Sequence, residues 1–154
     1  RHPAIGRAPR QQRLPLSYAQ QRLWFLDQFG GGTGRAYHIS GRVRLKGVLA
    51  GDALRRALDT IVERHEALRT VYQTMDGEAV QVIQPCEGFA LQEMDLSAGS
   101  EEQREAAVRE QVQQEGQAGF ELSRGPMIRG RLLKLSDQEH VLLITMHHIA
   151  SDGW

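Results

Sequence analysis

The sequence predicts a mixed α/β fold in which helices and sheets pack as the layers of a sandwich. Three observations favour it. Segments with apolar residues at helical spacing alternate along the chain with short runs typical of strands. Asp76-Gly77 joins two of these runs as a hairpin. Residues 141–146 are apolar or β-branched throughout, which is typical of a strand buried on both faces.

The composition limits the class of protein. The chain has 154 residues, of which 40% are hydrophobic and 25% charged, as in one ordinary globular domain. Basic and acidic residues number 19 each, so no excess charge indicates a nucleic-acid or membrane-surface partner. The single Cys86 excludes an internal disulfide and fits a reducing cytoplasm. No apolar run approaches the roughly 20 residues of a membrane span, and no signal peptide is predicted.

The first folded element is predicted to follow an arginine-rich start. Residues 1–13 contain four arginines and two prolines but few large apolar groups, so we expect a linker or tail. Ser17 and Gln20 fit a capping box, in which side chains bind the free backbone N–H groups at a helix start. A helix is therefore predicted over residues 18–29. Its apolar stripe comprises Ala19, Leu23 and Leu26.

A strand and a second helix are predicted next. The glycine-rich residues 30–34 lack the preceding strand and the Lys-Ser/Thr pair of a phosphate-binding loop, so we interpret them as a connection. Residues 37–45 alternate as a strand. Its inward-facing residues are predicted to be Ile39, Val43 and Leu45. Asp52 is the predicted N-cap of the second helix. The residues at helical spacing behind it are Leu54, Ala57, Leu58, Ile61, His65 and Leu68.

The second half of the chain is predicted to be rich in strands. The predicted strands cover residues 70–75, 78–84, 89–94, 130–135 and 141–146. Asp76-Gly77 predicts a type I′ turn between the first two. The last two are expected to pair across a turn at residues 136–139.

A third helix is predicted between these strands. Ser100 and Gln103 repeat the capping-box pattern, and a polar helix is expected to continue to about Gly116. An ion pair between Glu105 and Arg109 would support it. Its thin apolar face comprises Ala106, Val108 and Val112, which indicates a peripheral helix.

Two adjacent histidines, His147 and His148, follow the last predicted strand. Successive side chains of a strand point to opposite faces, so we expect one histidine to face a cleft and the other the packed interior. A buried strand holds its end rigidly, which suits catalytic groups. Asp152 either caps the element that follows or returns toward the same site. A metal site is the weaker interpretation, because the pattern lacks a further ligand at suitable spacing.

Four stretches carry a resemblance to a known family. Residues 146–154, MHHIASDGW, resemble the HHxxxDG motif of the condensation domains of nonribosomal peptide synthetases. Residues 17–26 are similar to the SxAQxRLWxL block of that family, and residues 64–72 to its RHExLRTxF block, with Tyr72 in place of Phe. Residues 120–129 resemble its FDLxxGPLxR stretch, with Glu in place of Asp.

The resemblance implies an architecture. Residues 14–154 would form the N-terminal lobe of a V-shaped domain, a pseudo-dimer of two halves that resemble chloramphenicol acetyltransferase. The active site of the family lies in a tunnel between the lobes. The second lobe and part of the first would follow Trp154. We therefore expect the 154-residue chain alone to be catalytically inactive and prone to self-association.

The resemblance also implies a reaction, in which the amine of a carrier-bound aminoacyl thioester attacks an acyl thioester on another carrier. His148 would be catalytic, as a general base or by positioning the amine, and His147 would support the geometry. Gly153 would let the substrate approach, and its amide would stabilise the oxyanion. Asp152 is expected to pair with an arginine and to shape its loop. The arginines that could form this pair are Arg22, Arg64 and Arg69.

The implied partners are donor and acceptor carrier domains, an adenylation domain of the same module and the second lobe. Phosphopantetheine arms would carry the substrates, no cofactor would be bound directly, and the location would be cytoplasmic. The HxxxD part of the motif is shared with coenzyme A dependent acyltransferases, which are one alternative. The others are an epimerisation domain and a non-catalytic lobe that binds carrier domains.

Overall fold

The computed structural model describes residues 9–10, 13–29 and 37–151. Within them the chain forms seven strands, three α-helices and one short 3-10 helix. In chain order the elements are β1 (Leu14–Pro15), α1 (Tyr18–Phe29), β2 (His38–Lys46), α2 (Gly51–Arg64), the 3-10 helix (Glu66–Arg69), β3 (Thr70–Met75), β4 (Glu78–Ile83), β5 (Ala90–Asp95), α3 (Glu101–Gln117), β6 (Ile128–Ser136) and β7 (Glu139–His147).

The described strands form two sheets. β2, β7, β6 and β5 lie side by side in that order in the larger sheet, and β1, β4 and β3 form the smaller one. β5 and β6 are parallel, with α3 as the crossover between them, and the other described pairs are antiparallel. β7 is therefore hydrogen-bonded on both edges, to β2 and to β6. The combination of helices and sheets confirms the predicted α/β class.

Both predicted hairpins are present. Asp76 (φ 53°) and Gly77 (φ 83°) both have positive φ, as a type I′ turn requires, and they connect β3 to β4. β6 and β7 also pair as antiparallel neighbours across their turn. β1 is a strand that the sequence did not predict. Its two residues pair with Gln81 and Val80 of β4, and so short a segment shows no periodicity.

α1 begins at the predicted capping box. The backbone N–H of Ser17 donates to Oε1 of Gln20 (2.8 Å), and the backbone N–H of Gln20 donates to Oγ of Ser17 (3.2 Å). The packed face of α1 differs from the predicted stripe. Ala19 is exposed, whereas Leu23 and Trp24 pack against the core. The stripe was wrong at Ala19 because the polar Gln20 also turns inward, to bind the smaller sheet.

α2 differs from the prediction at both ends. Its N-cap is Ala50, which has no capping side chain. Asp52 lies in the first turn, where its carboxylate interacts favourably with the positive end of the helix dipole. The helix ends at Arg64, since His65 adopts an extended conformation (φ −111°, ψ 92°). The 3-10 helix that follows redirects the chain and buries Leu68 before β3 begins. The apolar residues at helical spacing thus continue past the end of the helix at Arg64, which is why the sequence predicted a longer helix.

β2 forms one edge of the larger sheet, and its predicted inward face is only partly covered. Ile39 and Leu45 are half-buried, but Val43 is 54% exposed, so that prediction was wrong. The reason lies in the position of α2, which packs on the side of the sheet formed by Ile128 and Ile144. Val43 lies on the outer strand, away from this contact.

α3 is capped as predicted but packs through a different face. The backbone N–H of Ser100 donates to Gln103 (2.8 Å), which completes the second capping box. The buried residues of the helix are Val108, Gln111 and Glu115, whereas Ala106 and Val112 are exposed. Glu105 binds Arg44 of β2 (2.8 Å) in place of the predicted partner Arg109. A helix that binds the sheet through polar groups cannot be identified from an apolar stripe.

Three clusters of buried apolar side chains hold the layers together. The cluster between α3 and the larger sheet contains Val108, Leu133, Leu135, Val141 and Leu143. The cluster under α2 contains Leu58, Val62, Leu68, Phe89 and Ile128. The cluster that joins α1 and the smaller sheet to the turn after β7 contains Leu16, Val71, Tyr72, Leu122, Met127 and Ile149. The three clusters surround β7 and the turn that follows it.

A buried ion network ties α3 to β6. Oε1 of Glu115 lies 2.5 Å from Nε of Arg129, and Oε2 lies 2.8 Å from Nε of Arg131, while the Glu115 side chain is 5% exposed. Burial alone would raise the pKa of this carboxyl. The hydrogen bond from Arg129 and the charges of both arginines outweigh burial, so the pKa of Glu115 is lowered.

We predict that Glu115→Ala lowers the free energy of unfolding by about 3–5 kcal/mol, because it leaves two partly buried guanidinium groups without their carboxylate partner. Urea denaturation at neutral pH measures this change. The matched control is Glu110→Ala on the exposed face of the same helix, for which we expect a change within about 0.5 kcal/mol. Equal urea midpoints for the two variants would contradict the prediction.

Candidate active site

β7 ends at His147, and His148, the first residue of the turn that follows, has different surroundings. His147 is 1% exposed and packs into the interior, whereas His148 is half-buried and lines an open cleft. The opposite directions agree with the prediction from strand geometry. The cleft has a volume of about 570 Å³ and lies between the start of α1 and the turn after β7. Its other polar lining residues are Ser17, Gln20, Arg22, Tyr37 and Ser151.

The His147 ring is held as a hydrogen-bond acceptor. Its Nδ1 accepts from the backbone N–H of Ile149 (3.0 Å), which assigns the ring proton of the neutral form to Nε2. The backbone N–H of His147 donates to the carbonyl of Met127 (3.0 Å). Burial is the main reason that the pKa of His147 is lowered to about 4, and the neighbouring His38 and His148 contribute to the same shift. His147 is therefore neutral at physiological pH.

Backbone hydrogen bonds fix the turn that carries His148. The N–H of His148 donates to the carbonyl of Tyr37 (2.8 Å), next to the start of β2. The N–H of Ala150 donates to the carbonyl of His147 (3.1 Å), which closes the turn. The backbone of His148 is thus held from both sides, while its imidazole remains accessible in the cleft.

Tyr72 of β3 also stabilises this turn. Its hydroxyl donates to the carbonyl of Ile149 (3.3 Å) and accepts from the side-chain amide of Gln20 (3.3 Å). Burial raises the pKa of Tyr72 to about 12, against the opposing effect of the Gln20 hydrogen bond. The hydroxyl therefore stays protonated and joins α1 to the turn.

The three arginines predicted to serve the motif occupy different places. Arg22 of α1 is exposed and lines the cleft that contains His148. Arg64 is exposed at the end of α2. Arg69 is partly buried, donates to the carbonyl of Gln84 and lines a separate cleft of about 450 Å³. Asp152 and Gly153 lie outside the described residues, so their predicted roles stay predictions.

The arrangement suits proton transfer or hydrogen bonding to a substrate. An imidazole at the edge of an open cleft can accept a proton or hold a polar group, and its fixed backbone preserves its direction. Within residues 9–10, 13–29 and 37–151, no three His, Cys, Asp or Glu side chains are grouped so that they could hold a metal ion. None of the described helices is long and apolar enough to cross a membrane.

Several residues of the site were not identified as functional from the sequence. Gln20 was assigned only to the capping box, and Tyr72 only to a motif. Phe120 was likewise assigned only to a motif, and Tyr37 and His38 were not singled out. Each becomes part of the site through a contact between distant segments, for which the local sequence carries no signal.

Comparison with known proteins identifies the family. The family model described as "Condensation domain" matches residues 10–154. A linear gramicidin synthase of Brevibacillus parabrevis is 43% identical over 146 residues, which cover 95% of this chain and 2% of that protein. The chain belongs to the condensation-domain family.

Solved structures share the fold. The starter condensation domain of rhizomide synthetase matches with a TM-score of 0.81 at 24% identity, over 92% of this chain and 34% of that one. The X-domain from teicoplanin biosynthesis matches with a TM-score of 0.80 at 32% identity, over 96% and 30%. The chain thus spans about a third of each solved structure.

The lowered pKa of His147 predicts an acid-dependent loss of stability. An unfolded histidine has a pKa of about 6.5, so the unfolded state binds the proton more readily than the folded state, in which the pKa is about 4. This contribution to stability is complete above about pH 6.5 and falls as the pH is lowered toward about 4. The expected loss is about 3 kcal/mol.

Urea denaturation of wild type and His147→Gln across this pH range measures the effect. The difference between the two proteins should diminish on acidification, because glutamine does not titrate. His65→Gln, at an exposed position, is the matched control and should follow the wild-type curve. Parallel curves for wild type and His147→Gln would contradict the assignment.

Proposed function

We propose that the domain containing this chain forms peptide bonds in nonribosomal peptide synthesis. One observation carries the proposal. His148 is a half-buried imidazole in an open cleft, at the end of a strand hydrogen-bonded on both edges, in a chain of the condensation-domain family. The synthase named above, 43% identical over 146 residues, supports it.

The proposed reaction joins two carrier-bound groups. The neutral α-amine of the acceptor attacks the thioester carbonyl carbon of the donor, so that a C–N bond forms. The tetrahedral intermediate then collapses, the C–S bond breaks and the donor carrier leaves as a thiol. The attacking nitrogen loses one proton and the sulfur gains one. A single imidazole that moves the proton from nitrogen to sulfur balances the reaction without a covalent enzyme intermediate.

His148 acts on the amine in this scheme. An α-amine has a pKa of about 7.7–8.0, so an appreciable fraction is already neutral near pH 7. Holding the amine against the carbonyl therefore contributes alongside removal of its proton. His147 supports the turn and does not touch the substrate, in agreement with its burial. Gly153 lets the thioester approach, and its N–H donates to the oxyanion.

The substrates define the partners. Donor and acceptor carrier domains deliver acyl and aminoacyl groups on phosphopantetheine arms, an adenylation domain loads the acceptor, and the domain itself binds no cofactor. A second lobe supplies the other wall of the reaction tunnel. We also propose that the protein functions in the cytoplasm, which its single cysteine fits.

We further propose that Arg22 is the partner of Asp152. Arg22 lines the cleft together with Ser151, the residue that precedes Asp152 in the chain. Arg69 already binds the carbonyl of Gln84 and lies 3.7 Å from Glu66. Arg64 is exposed at the end of α2, an element that does not line this cleft.

The 154 residues alone do not catalyse the reaction in this proposal and tend to associate. They span about a third of the solved relatives, and Tyr18, Phe25 and Phe29 of α1 are exposed aromatic side chains. Light scattering on the isolated chain, with an assay on loaded donor and acceptor carriers, tests both statements. A monomer that forms peptide above the uncatalysed rate would contradict them.

The pairing of Asp152 predicts a coupling energy. In double-mutant cycles that combine Asp152→Ala with an arginine-to-alanine change, we expect Arg22 to give about 0.5–3 kcal/mol of coupling in the free energy of unfolding. The same cycles with Arg64 and Arg69 are controls and should give values near zero. A larger coupling for either control would assign the pair to that arginine.

His148→Ala tests the function itself. In the condensation domain that contains this chain, the change should lower the rate of peptide formation about 10²–10⁴-fold with little effect on folding, because the side chain lies in an open cleft. Mass spectrometry of the dipeptidyl thioester, after both carriers are loaded, measures the rate. His140→Ala, at the other end of β7, should retain activity. A near wild-type rate for His148→Ala would refute the catalytic assignment.

A further inference from the structure

Arg129 of β6 makes polar contacts through all three of its guanidinium nitrogens. Its Nε lies 2.5 Å from the Glu115 carboxylate, while Nη1 donates to the carbonyl of Gly119 (2.7 Å) and Nη2 to that of Ala118 (2.7 Å). The guanidinium is planar, so contacts at three nitrogens fix its position and its orientation. It therefore presents a rigid flat surface at the end of α3.

Phe120 lies on this surface. The centre of its ring is 4.0 Å from Cζ of Arg129, a close cation–π contact. The same ring also contacts two histidines. The centroid of Phe120 is 4.8 Å from that of His38 at an interplanar angle of 81°, and 5.8 Å from that of His147 at 75°. His38 and His147 are themselves 5.8 Å apart at 64°. The three rings thus pack edge to face.

This packing matters because the two orientations of the His147 ring that a half-turn relates are not equivalent. A half-turn of the imidazole exchanges Nδ1 with a carbon atom, which cannot accept the hydrogen bond from the Ile149 N–H. That bond, together with the bond from the Ala150 N–H to the His147 carbonyl, closes the turn on which His148 lies. Rotation requires space beside the ring, and Phe120 and His38 fill that space. Backbone hydrogen bonds hold the position of His147 but leave its side-chain torsion free.

We propose that Phe120, fixed by Arg129, is a positioning residue for the reaction: it holds the His147 ring in the orientation that keeps the turn closed and His148 aligned. The inference rests on the proposed role of His148 and deepens it. Phe120 does not touch the substrate in this scheme. It acts through His147, and the ion network of Glu115 acts through Phe120.

The charged and titratable groups around His147 influence its pKa, which a titration of the ring would measure. His38 faces it from β2 and His148 from the turn, and Arg129 lies beyond the Phe120 ring with Glu115 behind it. Phe120→Leu opens space for ring rotation and for water next to His147. We expect the ring to populate both orientations and both neutral tautomers, and its apparent pKa to rise toward that of a solvated histidine.

Phe120→Leu in the condensation domain that contains this chain tests the inference. We expect kcat for peptide formation to fall about ten- to a hundred-fold, with KM changed by less than about threefold, because misalignment lowers the rate more than binding. Nitrogen-15 NMR of labelled histidine reports the His147 tautomer directly. Wild type should show one Nε2-protonated form, and the variant a mixture with a raised pKa.

Phe89→Leu is the matched control. Phe89 is buried in the cluster under α2, so the same change there removes core packing without altering the contacts of His147. It should leave the tautomer, the titration and kcat as in wild type. Phe120→Tyr, which keeps the ring, should restore the single tautomer and most of the rate. If Phe120→Leu fails to fold, Phe120→Met replaces it, since methionine is flexible and has a similar volume.

The outcomes separate this inference from the proposed function. A single unchanged His147 tautomer in Phe120→Leu or Phe120→Met would overturn the positioning role, whatever the activity. Equal effects of the Phe120 and Phe89 variants would also overturn it, because a general loss of packing would then explain both. A wild-type domain that forms no peptide would refute the function, while the NMR comparison would still decide the role of Phe120 in holding the ring.

Discussion

The hydrogen bonding of β7 on both edges is the constraint on which the site depends. β2 and β6 fix the strand from the two sides, and helices cover its two faces, so the backbone at its end cannot shift without breaking several pairings. The alternation of a strand then gives two adjacent histidines opposite surroundings. One ring enters the interior and fastens the turn, and the other enters the cleft. A single rigid element thus provides both the support and the reactive group.

The buried polar groups of the lobe lie near this end of the sheet. Glu115, Arg129 and Arg131 form one group, and His147 and Tyr72, which both hydrogen-bond to the backbone of Ile149, form another. Each costs free energy to bury unless its hydrogen bonds are made, so each specifies one arrangement of neighbouring segments. The apolar clusters stabilise the layers, whereas these polar groups determine the direction of the side chains around the cleft.

The sequence predicted elements with strong local signals. The capping boxes at Ser17 and Ser100 and the turn at Asp76-Gly77 depend on residues close in the chain, and all three are confirmed. The predictions for Val43 and for the partner of Glu105 failed, because they depend on which element covers the sheet.

The residues of the site also divide into those that the sequence predicted and those that only the tertiary structure reveals. A motif identified His148, and strand alternation separated it from His147. Phe120 and Tyr37 contact the histidines, and Gln20 contacts Tyr72, only through the tertiary fold, so the local sequence does not indicate these contacts. The asymmetry has a physical cause: short-range order follows from neighbouring residues, whereas a cleft is formed by segments that meet only after folding.

The register of the larger sheet has a consequence for biosynthesis. His38 lies opposite His147, so the strand near the beginning of the lobe pairs with the strand at the end of the described chain. A ribosome releases β2 long before β7, and β2 and β6 cannot be joined until β7 emerges between them. Pairings so distant along the chain form slowly. The four described strands of the larger sheet therefore come together only when the strand that precedes the reactive histidine has emerged, so the support of the site and its reactive group become available to the nascent chain at the same time.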